Sequence, residues 1–191
     1  TFGEIKESIW IPKDTSGLGL TFGTNGFYLP FSQDRTVGAS TFFNRSGSSN
    51  VTFTNATHYD IGSSDDFTLE AFIWPTETIM STYCYLLGNY GGSSGPYMML
   101  QFSPSNDLFY FYTGNGAGHQ FDYTAGDVDA GRWHHIAINR VSGSLRFFLD
   151  GVQKDSTISS STTAWNNSNF IIGMSPQHAF DGYISNVRLV V

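Results

Sequence analysis

GRWHHIAINRVSGSLRFFLDG, residues 131–151, reads as two β-strands joined by one tight turn and ended by another. Ser142-Gly143 suits a two-residue hairpin loop, because glycine reaches positive φ without a side-chain clash. That loop pairs Arg140 with Leu145, Ile138 with Phe147 and Ile136 with Leu149. Ile136, Ile138, Leu145, Phe147 and Leu149 then share one face. A one-residue slip would turn all five outward, so burial sets the register. Asp150-Gly151 is a stronger turn signal. It returns the chain with Val152 opposite Leu149, which makes the unit an antiparallel meander.

The rest of the chain repeats this grammar. In Phe67–Pro75 the residues Phe67, Leu69, Ala71 and Ile73 share one face, while Thr68, Glu70, Phe72 and Trp74 share the other. Pro75 ends the run because it has no N–H to give to a ladder. Leu108–Thr113 alternates Phe109 and Phe111 against Tyr110 and Tyr112. Near the C-terminus, Phe180, Gly182 and Ile184 have one parity, and Val187, Leu189 and Val191 the other. That switch predicts a β-bulge or bend near Ser185-Asn186. Shorter strands are expected around Phe27, Phe42, Thr52, Leu86, Leu100, Phe121 and Ile171, separated by Gly, Ser and Asn turns. No helical periodicity of useful length appears, and no internal repeat. The expectation is an all-β fold, a two-sheet antiparallel β-sandwich.

Three of these strands carry a resemblance. W-H-H-I-A-I-N-R with L-R-F-F-L-D-G is similar to the central hairpin of concanavalin A-like lectin/glucanase domains, in their laminin-G-like and pentraxin-like branch. F-T-L-E-A-F-I-W-P resembles that family's F-T-x-E-A-W strand, and F-D-G-Y-I-S-N-V-R-L its closing strand. The resemblance implies a concanavalin A-like jelly roll over residues 27–191. Residues 1–26 read as an extended, glycine-rich lead-in, with Ile9-Trp10-Ile11-Pro12 as a short apolar anchor. I-W-I-P-K-D-T-S-G followed by T-N-G-F-Y-L-P-F is similar to the segment that precedes such domains in tail-fibre and appendage proteins of tailed bacteriophages. This second resemblance implies a place on the surface of a virion, with other virion proteins or further copies of the chain as partners, and a homotrimer as the usual fibre form.

Composition sets outer bounds. The chain has 191 residues, which suits one all-β domain, with 16% aromatic and 13% charged residues and 21 glycines. The net charge of −7 argues against a nucleic-acid groove, which requires a basic patch to release counterions. No apolar run approaches the ~20 residues that a membrane-spanning helix requires, so no membrane insertion is expected. Cys84 is the single cysteine and reads as a buried thiol. The matches to the N-glycosylation pattern at Asn44, Asn50, Asn55 and Asn166 are what a Ser/Thr/Asn-rich surface produces by chance. Thr1 is not an initiator methionine, and Val191 lies on a strand-like run. A processed product or a piece of a longer protein is therefore expected, with an extracellular setting as the alternative to the virion.

Candidate chemistry is sparse. Glycoside hydrolysis needs two carboxylates about 5 Å apart for retention. The glucanases of the resembling family place them on one strand as E-x-D-x-x-E, and none of Glu4, Glu7, Glu70 and Glu77 forms that motif. No G-x-S-x-G elbow occurs. His134 and His135 look like a metal pair, but adjacent strand residues point to opposite faces. Many relatives bind Ca2+, which takes six to eight oxygens. Asp60, Asp65 and Asp66 form one acidic group and Asp122, Asp127 and Asp129 another, without a calcium-loop pattern in either. Carbohydrate binding asks for less: an aromatic ring for the apolar face of a sugar, with amides nearby for its hydroxyls. Asn89, Tyr90, Tyr97, Tyr110, Tyr112, Asn115 and Trp165 are the candidates. The expectation is a non-catalytic, lectin-like module that meets a surface glycan, with a purely structural decoration domain, or a carbohydrate-binding domain of a secreted cellular protein, as alternatives.

Overall fold

The computed structural model describes residues 3–6, 9–12, 27–29, 40–44, 49–54, 60–76, 84–88, 98–103, 108–113, 117–122, 127–159, 164, 169–173 and 180–191. Among them there are strands and turns but no helix. The strands in chain order are β1 (Gly3–Lys6), β2 (Ile9–Pro12), β3 (Phe27–Leu29), β4 (Thr41–Phe43), β5 (Val51–Thr54), β6 (Phe67–Pro75), β7 (Cys84–Gly88), β8 (Met98–Ser103), β9 (Leu108–Thr113), β10 (Ala117–Asp122), β11 (His134–Val141), β12 (Ser144–Leu149), β13 (Val152–Ser159), β14 (Asn169–Ile172) and β15 (Gly182–Val190).

Two sheets form the sandwich. One runs β13-β12-β11-β6-β15-β3, with β4 also on β15; the other runs β10-β9-β8-β7-β14-β5. Neighbours within each sheet pair antiparallel, and sequence-distant neighbours such as β11 with β6 and β7 with β14 mark the crossovers of a jelly roll. β1 and β2 pair separately, Gly3 opposite Pro12 through Lys6 opposite Ile9.

The opening stretch folds as its pattern dictates. Ile136 faces Leu149, Ile138 faces Phe147 and Arg140 faces Leu145. Ser142 and Gly143 take φ of 50° and 78°, and Asp150 and Gly151 take 51° and 79°. Positive φ at both central residues defines the turn that matches the twist of a hairpin. The parity switch near the C-terminus is also present. β15 shifts register against β6 between Ser185 and Arg188, and Asn186 has φ of 49°.

Both sheets turn their apolar faces to one core. Leu69, Ala71, Ile73, Ile136, Ile138, Phe147, Ile184 and Leu189 come from the seven-stranded sheet; Leu86, Leu100, Phe102, Phe109, Phe111, Phe121 and Phe170 come from the other. Rings interlock across the gap: Phe147 lies 4.6 Å from Phe109 and 5.5 Å from Phe121, centroid to centroid. Burying each such ring removes roughly 150–250 Å² from water. Cys84 is fully buried in this layer.

Among the described residues the most deeply buried charged side chain is that of Arg140. Arg140 shares the parity of Ile138, so it points inward at the edge of the core. Its Nε donates to the carbonyl of Asp65 at 2.7 Å, its Nη2 donates to the carbonyl of Gly62, and its guanidinium lies over the Phe67 ring at 5.3 Å. Burial lowers its pKa from the ordinary arginine value, with Asp65 and Asp66 acting the other way. The same turn is held from outside, where Asp66 Oδ1 accepts from Ser142 N at 2.7 Å. The loop entering β6 is thereby fastened to the β11–β12 turn.

Candidate functional site

β6, β11 and β15 place three ionisable side chains together on the outer face of the seven-stranded sheet. Glu70 lies opposite Ala137 on one side and Arg188 on the other. Its Oε1 pairs with Arg188 Nη2, and its Oε2 lies 3.3 Å from His135 Nε2. Phe72 lines the neighbouring row, 4.8 Å from the His135 ring. All of these groups are largely withdrawn from water, which strengthens their mutual attraction. Glu70 is thus held by two partners on two different strands, and among the described residues no second carboxylate stands across from it.

His134 faces the other way and is fully buried. Its Nδ1 lies 2.9 Å from Asp150 Oδ2, and its Nε2 lies 3.1 Å from both the N and the O of Asp129. In the neutral ring, Nδ1–H donates to Asp150 while Nε2 accepts from Asp129 N–H. Asp150 Oδ1 also accepts from His135 N at 2.8 Å. Burial acts to raise the Asp150 pKa, but the hydrogen bonds from His134 and His135, with the charges of His134 and Arg132, hold it below the ordinary aspartate value. This carboxylate–imidazole pair is turned to the backbone of Asp129. The far ring nitrogen meets backbone rather than a nucleophile, so the pair fastens loop 127–133 to the β12–β13 turn. Lys154 Nζ on Asp127 Oδ2 at 2.8 Å and Arg132 Nε on Asp129 Oδ2 at 3.2 Å complete the fastening.

Four of the six aspartates that the sequence offers for Ca2+ serve this internal work. Asp65 Oδ2 accepts from Gly62 N at 2.7 Å, Asp66 caps the hairpin turn, and Asp127 and Asp129 hold cations of the chain itself. Among the described residues no three His, Cys, Asp or Glu side chains converge on a point where a metal could sit. Asp65, Asp66, Asp127 and Asp129 are thus engaged within the chain itself.

Of the aromatic candidates, Tyr110 lies on the outer face of the six-stranded sheet, between Gln101 and Gln120. It is only 8% exposed and is packed rather than offered to a ligand. Tyr112 stands in β9 opposite Met99 and Gly118. Asn89, Tyr90, Tyr97, Asn115 and Trp165 lie outside the described residues. The structure adds aromatics that sequence reasoning passed over. Phe42, Tyr183 and Trp74 stand side by side on β4, β15 and β6, and Trp133 packs edge-on against Trp74 at 5.6 Å. Strand alternation alone put Trp74 on the polar face; what it could not show was that β4 and β15 would bring Phe42 and Tyr183 beside it.

Comparison with known proteins agrees with this architecture. A family model described as the concanavalin A-like lectin/glucanases superfamily matches residues 45–190. No curated protein matches. Domains 4 and 5 of the mouse laminin α1 chain are similar in fold, with TM-score 0.56 and 19% identity, over 78% of this chain and 40% of that one. So is the binding domain of botulinum neurotoxin serotype D, with TM-score 0.60 and 10% identity, over 97% and 45%. Domain 4 of an extracellular arabinanase from Geobacillus stearothermophilus, solved with arabinotriose, gives TM-score 0.51 and 14% identity, over 86% and 81%. The chain spans about two fifths of the laminin fragment's length. At these identities the likeness is one of fold.

Proposed function

We propose that this chain, which belongs to the concanavalin A-like lectin/glucanase superfamily, is a non-catalytic, lectin-like module that binds glycan. The observation that carries the reading is the Glu70 clamp. Glu70, at the centre of β6, is engaged by His135 and Arg188. A general acid must release and regain a proton at a bond it faces. Glu70 instead serves the sheet, and the His134–Asp150 pair serves a turn. Among the described residues Phe42 and Tyr183 leave aromatic surface exposed, which is a chemistry suited to sugar binding.

The setting follows from the phage-like lead-in. In this reading the module sits on a virion appendage and contributes to adhesion at a host-surface glycan. In this reading Asn89, Tyr90, Tyr97, Tyr112, Asn115 and Trp165 are the contacts offered to the glycan, and Tyr110 is a packed residue of its sheet. Single-site affinity of such a module is weak, and copies arrayed in a homotrimer raise it through effective concentration. A glycan array probed with the isolated chain tests the reading. Retention of defined glycans supports it. Silence on the array, or hydrolysis of a retained glycan that disappears in Glu70→Gln, overturns it. The burial of Tyr110 favours a second reading, a structural decoration domain without a ligand, and that reading gains from the same silence.

A further inference from the structure

Four aromatic side chains form a row across one end of the seven-stranded sheet, on its outer face. Phe42 on β4 is the direct cross-strand partner of Tyr183 on β15, and Tyr183 is the direct partner of Trp74 on β6. Trp133, just before β11, continues the row against Trp74. Phe42 and Tyr183 rings lie 5.0 Å apart and tilted by 51°. They remain 45% and 37% exposed, while both tryptophans are half-buried.

The row is held rigidly. Its members stand on strands or directly beside one, and the rim behind it is closed by backbone bonds. Gly131 N donates to Pro75 O at 2.9 Å, and Thr76 N donates to Asp181 O at 3.1 Å. Rings held on strands with a fixed rim lose little freedom on binding, which is what a preorganised site requires. The row itself carries no charge. Asp181 and Arg132, of opposite sign, stand at its margin with the Thr76 hydroxyl, which donates to Asp181 O and keeps its own lone pairs.

Size decides the occupant. The exposed parts of Phe42 and Tyr183, 45% and 37%, amount to roughly 120–200 Å², given about 150–250 Å² for a whole aromatic side chain. A stable protein interface needs about 800 Å² per partner. A sugar face is much smaller and stacks on a single ring. Rings on successive strands repeat at ~4.8 Å, so the row offers one stacking position per strand to a chain of sugar residues laid across the sheet.

We infer that the Phe42–Tyr183–Trp74–Trp133 row is a binding site for a neutral oligosaccharide lying across β4, β15 and β6. Phe42 and Tyr183 stack on the sugar rings, and Asp181, Thr76 and Arg132 take the hydroxyls. The inference rests on the glycan-binding reading and assigns it a location separate from the loop candidates. The test titrates the full chain with cello-, xylo-, manno- and arabino-hexaose, followed by tryptophan fluorescence and calorimetry. At least one probe binds, and Tyr183→Ala and Phe42→Ala each weaken it tenfold or more at an unchanged melting temperature. Val152→Ala, an exposed apolar residue on β13, leaves affinity unchanged. If a probe binds but neither ring variant weakens it, the location is wrong and the glycan-binding reading survives. If no hexaose binds while a wider glycan array is positive, a neutral oligosaccharide is the wrong ligand. If the array is silent too, both fall. A change in sedimentation for Tyr183→Ala makes the row a contact between copies of the chain and overturns the inference.

Discussion

On β11, His134 points into the sandwich and His135, the next residue, points out of it. The inner face of the seven-stranded sheet is mostly apolar, with Leu69, Ala71, Ile73, Ile136, Ile138, Phe147 and Leu149 joined by packing, and with Arg140 and His134 as polar exceptions at its edges. The outer face carries Glu70, His135 and Arg188 at its centre and the Phe42–Trp133 row at one end. The inner face tolerates many apolar arrangements of equal volume, because burial is non-directional. The outer face depends on which residue lies opposite which, because ion pairs and stacked rings are directional. The centre of one side is thus held mainly by packing and the centre of the other by specific pairs, while His134 and Arg140 bring directional bonds to the rim of the core.

The comparison breaks most severely at the centre of the inner face. Ile138→Asp puts a carboxylate into the core, at a cost comparable to the entire ~5–15 kcal/mol of domain stability. The expected outcome is loss of the folded state, read by near-ultraviolet circular dichroism and aggregation. Ile138→Val, which only trims the same position, costs about 1 kcal/mol. Next comes the outer cluster. Glu70→Ala leaves Arg188 with its charge poorly compensated in a largely buried place, and a loss of about 3–5 kcal/mol is expected in urea denaturation. Equal losses for Glu70→Ala and Thr68→Ala would show that the outer face is not built on specific pairs.

The Asp150 link gives a smaller effect with a pH signature. Asp150→Asn weakens the charge-assisted bonds to His134 and His135 N, for about 1 kcal/mol at neutral pH. The folded-state pKa of Asp150 is depressed, so its stabilisation is complete above the unfolded aspartate value near 3.9 and is lost as pH falls through the lower folded value. The stability gap between wild type and Asp150→Asn is therefore full at pH 6 and closes on acidification below about 4. A gap that stays constant to pH 2 would remove the carboxylate from the account. The smallest stability effect belongs to the aromatic row. Phe42→Ala should cost under about 1 kcal/mol, as an exposed substitution does, while sugar binding falls tenfold or more.

Much of the architecture was legible in residue order. The hairpin register, the two positive-φ turns, the core faces of β6 and β9 and the bulge in β15 all follow from alternation and turn chemistry, and all appear as read. The same parity that places Ile138 inward also places Arg140 and His134 inward. That signal was present for both, but parity does not reveal a buried cation's acceptors, which here are carbonyls of residues 62 and 65. Asp150 reads as a turn residue, and it is one; its bonds to His134 and His135 arise because the turn folds it over the start of β11.

The linear chain, by itself, determined the all-β class and, for β6, β9, β11, β12 and β15, the strand and its apolar face, because these depend on a two-residue period and on local φ preferences, whereas the β1–β2 pairing lies in a segment that reads as an extended lead-in. Strand order was decided only by the tertiary structure. Glu70 and Arg188 are far apart in sequence, and Phe42 and Tyr183 farther still, so no periodicity links them. They meet because β15 lies between β6 and the short strands β3 and β4, a choice made by the packing of two whole sheets. The scaffold was therefore written locally, whereas the charged cluster and the aromatic row exist only where distant strands become neighbours.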